Sequence, residues 1–120
     1  MTTDDAVAVQ LAMTDDTWAA LQRAGVTGGS LLRLDFTFFG GEQRAAEELE
    51  SALSPEVASV QVTVHQTGIF RRRRVWTVTG TTNPQPVSLP HLREWVERMV
   101  RAGAQYGLEF DGWGADVSDT

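Results

Sequence analysis

The stretch LLRLDFTFFGGEQRAAEELESAL, Leu31 to Leu53, changes its hydrophobic period halfway, and that change decides the fold class. Leu32, Leu34, Phe36 and Phe38 recur at every second residue against Arg33, Asp35 and Thr37, the pattern of a strand with one buried face. Gly40-Gly41 breaks the alternation. From Glu42 to Leu53 the apolar positions are Ala45, Ala46, Leu49, Ala52 and Leu53, with Glu47, Glu48 and Glu50 on the wet side. That spacing predicts an amphipathic helix, stopped by Pro55. Strand followed by helix in one short run points to a mixed fold.

Downstream, Ser59 to Thr67 alternates again, Val60, Val62 and Val64 inward against Gln61, Thr63 and His65. Gly68 offers a turn into Arg71–Thr79, so these two strands form an antiparallel hairpin. Thr81 to Pro86 contains Pro84 and Pro86, which lack a backbone donor, and reads as a loop. Ser88 then caps a long helix with the stripe Leu92, Trp95, Val96, Met99, Val100 and Tyr106, with Gly103 and Gly107 near its end. Leu108 to Val117 is the last extended stretch. Upstream, Thr14-Asp15-Asp16 supplies a capping hydroxyl and first-turn carboxylates for a short helix through Trp18-Ala19-Ala20-Leu21, closed by Gly25. Ala6 to Met13 carries both strand-like alternation and helix-forming alanines, with helix the better fit.

The order is a helix followed by βαββαβ, the ferredoxin-like arrangement. The expectation is an α+β fold: a four-stranded antiparallel sheet, two helices on one face, an extra amino-terminal helix, and an open opposite face. Residues 1–13 form an amino-terminal extension, helical or disordered, and residues 14–120 a single domain.

Composition narrows the chemistry. A chain of 120 residues with 42% apolar and 22% charged residues has enough apolar matter for one folded core. It has no cysteine, which removes thiolate metal sites, disulfides and cysteine nucleophiles. Asp4 and Asp5 stand where a secretory signal carries basic residues, and no run approaches a membrane span, so a cytoplasmic location is expected. A net charge of −6 disfavours general nucleic-acid binding, which depends on cations displacing phosphate counterions, and favours a basic protein partner.

Metal chemistry would need converging ligands, yet His65 and His91 lie on different elements without a neighbouring histidine, so neither a metal nor a cofactor is expected. No serine sits in a strained nucleophile elbow, and adjacent carboxylates such as Glu47-Glu48 point apart on a helix. The expectation is a protein without catalysis of its own. Arg71-Arg72-Arg73-Arg74 is the one basic cluster, and strand alternation divides it: Arg72 and Arg74 run with Trp76, Arg71 and Arg73 with Val75. One reading is a charged strand end that discourages pairing. The other is an anion, nucleotide or RNA site on the open face, with His65. The third strand of the βαββαβ unit lacks the basic-aromatic-glycine signature of RNA-recognition modules.

The remaining feature is Glu109-Phe110-Asp111-Gly112-Trp113-Gly114, directly after a helix ending Gln105-Tyr106-Gly107. This segment resembles the carboxyl-terminal signature of the regulator of ribonuclease E activity B family, the RraB or ribonuclease E inhibitor domain. Trp18 to Gly25, Leu34 to Phe38 and Gln43 to Leu53 agree in kind and in order. The resemblance implies a non-enzymatic inhibitor that binds ribonuclease E and alters which transcripts it cleaves. Two readings of the segment stand together. Asp111 and the glycines build a turn or bulge with Trp113 covering the end of the helix layer. Alternatively Asp111, Gly112, Trp113 and Gly114 form a partner-binding surface, with Trp113 as an exposed anchor and Arg71 and Arg73 as additional contacts.

Overall fold

The computed structural model describes residues 2–68 and 73–115. In chain order they form α1 (Thr3–Arg23), β1 (Leu31–Leu32), β2 (Leu34–Gly40), α2 (Gln43–Leu53), a 3-10 turn at Ser54–Glu56, β3 (Ser59–Thr67), β4 (Arg73–Thr81), β5 (Gln85–Pro86), α3 (Leu89–Tyr106) and β6 (Glu109–Ala115). Strands β3, β4, β2 and β6 make one antiparallel sheet in that order, while β1 and β5 make a separate two-stranded ribbon. The protein is thus α+β.

The alternation in β2 is what sets the core. Leu34, Phe36 and Phe38 are all buried, with Phe36 opposite Gly80 and Phe38 opposite Val78 on β4. Each central phenylalanine ring lies over a glycine. A Cβ on Gly80 would stand 2.5 Å from the Phe36 ring, and one on Gly103 of α3 would stand 2.8 Å from the Phe38 ring. From the helices, Ala46, Leu49 and Leu53 of α2 and Leu92, Val96, Met99 and Val100 of α3 complete the layer. Each leucine, valine or methionine so removed from water contributes about 1.5–3 kcal/mol, opposed by the ordering of the chain.

Two ends of α3 follow the sequence closely. Ser88 accepts the His91 amide at 3.3 Å, and Gly107 closes the helix at a φ of 82°, a conformation that suits a residue without Cβ.

Four boundaries differ from the sequence reading. The first helix begins at Thr3 and not at Thr14, because Thr2 and Asp5 form a reciprocal capping box and Val7, Thr14, Trp18 and Leu21 make one continuous buried stripe. The strand expected from Leu31 is broken at Arg33, so that Leu31 and Leu32 leave the main sheet. Their partners, Pro86 and Gln85, lie in the stretch expected to be a loop; a two-stranded ribbon is all edge, where a proline is tolerated. The hairpin's second strand is Arg73–Thr81, carried two residues past Thr79 as Thr81 donates to Asp35 at 2.8 Å and accepts from the Ala58 amide. Val117 lies outside the described residues.

Helix α1 packs along α3 and reaches β6. Ion pairs Arg93–Asp15 and Arg101–Asp4 join the two helices at their exposed margins. The hydrogen bond to Glu97, then that to Asp4, raises Arg101 above its already high ordinary pKa. Among the described residues no helix is long and apolar enough to cross a membrane.

Candidate contact groove

The segment Phe110 to Gly114 is built around a break in strand register. Thr37 pairs with Gly112 and Phe38 with Phe110, which leaves Asp111 as an extra residue on β6. In a regular strand, positions three apart point to opposite faces; a one-residue bulge restores them to the same face. Phe110 and Trp113 therefore both point toward the helices, Phe110 beside Phe38 with ring centroids 5.1 Å apart and Trp113 against Trp95 at 6.1 Å, nearly perpendicular. Gly112 takes a φ of 143°, which disfavours any residue with a Cβ.

Trp113 is half-buried, and its indole N–H donates to the Thr14 hydroxyl at 3.0 Å. Thr14 is fully buried within α1 and donates onward to the Gln10 carbonyl at 2.8 Å. The Gln10 side-chain amide in turn donates to the Phe110 carbonyl at 3.2 Å. These bonds stitch α1 onto β6, the outer strand on that side of the sheet. Thr14 was expected as a helix cap; it is an interior acceptor for the tryptophan.

A groove of about 330 Å³ runs between α1 and the bulge. Gln10, Met13 and Thr17 form one wall, and because Gly112 and Gly114 carry no side chain the groove passes over β6 to Asp35 and Thr37 on the open face. Asp35 and Asp111 make it acidic, no basic side chain among the described residues lines it, and Met13 stands half-exposed, at 50%, on its rim. Carboxylates beside an accessible thioether suit a segment that carries both cationic and apolar side chains.

The other expected site residues lie elsewhere. Arg73 is exposed at the start of β4, six residues along the strand from Thr79, the neighbour of Thr37, or roughly 20 Å at strand rise. The sheet does not bring it to the groove. Arg71 and Arg72 lie outside the described residues. His65 is exposed on β3, and half-buried His91 pairs with the Gln85 amide oxygen at 2.7 Å. Among the described residues, no three His, Asp or Glu side chains are grouped to hold a metal.

Sheet and helix layer define a small α+β protein with an acidic groove at one margin of the sheet. The family model described as Regulator of ribonuclease activity B matches residues 11–115, nearly the whole chain, and the chain belongs to that family. The match begins within α1, before Met13, and ends on the last residue of β6. No curated protein matches the chain.

Proposed function

We propose that this chain is a non-enzymatic, cytoplasmic regulator that binds a ribonuclease of the E type and modulates RNA degradation through that contact. Membership of the regulator family across residues 11–115 is the observation that carries the reading, since the matched span includes every lining residue of the acidic groove but Gln10. The strand order β3, β4, β2, β6 supports reading the fold as ferredoxin-like, with α1 as the added helix. In this reading Asp111 and Asp35 attract a basic segment of the ribonuclease, Gly112 and Gly114 let its backbone approach, and Trp113 holds the groove's shape from beneath. Arg71 and Arg73 make a second contact with an acidic part of the same partner.

The test is cleavage of a defined transcript by purified ribonuclease of the E type from the same host, with and without the chain. Wild type is expected to change the cleavage rate or pattern. An Asp35→Asn/Asp111→Asn variant is expected to need at least about tenfold more protein, the loss of one or two charge-assisted contacts. Unchanged cleavage at saturating wild type sinks the reading. The alternative, an anion, nucleotide or RNA site at Arg71–Arg74, predicts instead direct RNA binding that collapses with salt and with Arg73→Ala.

A further inference from the structure

The two edges of the sheet are treated differently. At β6 the outer edge is attended by α1, with Gln10 bonded to Phe110. Strand β3 ends the sheet on the other side, and among the described residues it pairs only with β4. An edge strand directs every second N–H and C=O away from its neighbour, and proteins commonly blunt such an edge with lysine, proline, a bulge or brevity. None of these is present. Ser59–Thr67 is nine residues long, contains no charge and no proline, and its pairing with β4 runs without a register shift.

From these features we infer that β3 is a self-association edge, where two copies pair strand to strand into one continuous eight-stranded sheet. The argument for a second copy lies in the sequence of the strand. With a two-fold axis at Val62, antiparallel pairing sets Val62 against Val62 and Val60 against Val64 on the helix side. On the open side it sets Gln61 against Thr63 and Ser59 against His65. Between Ser59 and His65 every apolar residue meets an apolar one and every neutral polar residue a neutral polar one. Val64, 45% exposed in the single chain, gains a valine neighbour. Both edges are already ordered, so pairing avoids the ordering cost that a flexible peptide would add. Each copy carries −6, so association strengthens as salt screens the repulsion.

Sedimentation velocity from about 1 to about 100 µM, a span covering ordinary weak dimers, tests it. Wild type is expected to move from one-chain to two-chain mass, at lower concentration in higher salt, and Val64→Lys to remain at one-chain mass with a cooperative melt. Should Val64→Lys lose that melt, Gln61→Lys, whose side chain faces solvent, decides. Since the chain has no cysteine, single-cysteine variants report the register: antiparallel opposed residues fall within disulfide range. Val62→Cys is expected to cross-link at least about tenfold faster than Thr63→Cys, which opposes glutamine at this register. One-chain mass for wild type throughout overturns the inference. So does a folded lysine variant that stays dimeric, or Thr63→Cys linking as fast as Val62→Cys.

Discussion

Gly112 shows how much one backbone angle can decide. Its φ of 143° allows β6 to take in Asp111 without losing its pairing with β2, and a Cβ there would meet no atom within 4 Å. The cost of Gly112→Ala is therefore backbone strain alone, about 1–3 kcal/mol, readable as a lower denaturant midpoint with an unchanged slope. An unchanged midpoint sinks the account. Trp113 and Thr14 form the second residue-scale pair. Thr14→Val leaves a half-buried indole N–H without its acceptor, and Trp113→Phe removes the donor while keeping an aromatic ring. A double-mutant cycle on denaturation should give a coupling of about 0.5–1.5 kcal/mol, with additivity counting against the bond. Sequence alone made the Asp-Gly-Trp-Gly run conspicuous and allowed a bulge there. It did not disclose the partner at Thr14, because a hydroxyl followed by two carboxylates reads as a helix start when only local chemistry is weighed.

Helix α1 was legible in part for a related reason. Val7, Leu11, Thr14, Trp18 and Leu21 recur at helical spacing, but Val7, Val9 and Leu11 also alternate, and the two periods overlap until tertiary contacts choose. Where one period stands alone, as in β2, α2 and α3, the elements agree with their expected type, and α2 and α3 nearly with their expected ends. The β1–β5 ribbon was not legible, since two-residue pairings carry no periodicity. Gly103 makes a test of packing against propensity. In an exposed helix, Gly→Ala gains about 1 kcal/mol, yet here a Cβ would meet the Phe38 ring at 2.8 Å and the Leu108 carbonyl at 2.9 Å. Gly103→Ala should therefore destabilise by about 1–3 kcal/mol in denaturant unfolding. A stabilised variant would show that α3 can shift away from the sheet at little cost.

Across the whole molecule, the two proposed surfaces occupy opposite margins of one sheet, an acidic groove at β6 and a neutral strand at β3. Ionic strength should separate them in a single preparation. Association through β3 rises with salt, whereas capture of a basic segment in the groove falls, and Val64→Lys should abolish the first without moving the second. Parallel salt responses for both would mean that one surface serves both. The fold class was legible because it depends on element order; the groove was not, because its walls come from residues about a hundred positions apart. The bulge also constrains how this chain tolerates changes of length. Sidedness along a strand is a matter of odd and even, and Asp111 is the single count that reverses it midway through β6. Removing that residue would leave Phe110 and Trp113 two apart, so plain alternation would keep both rings on the helix side and Gly112 and Trp113 opposite Thr37 and Phe36. Within this strand, loss of Asp111 alone should thus be milder than loss of Asp111 and Gly112 together, which would set Trp113 next to Phe110 and turn its indole to the open face.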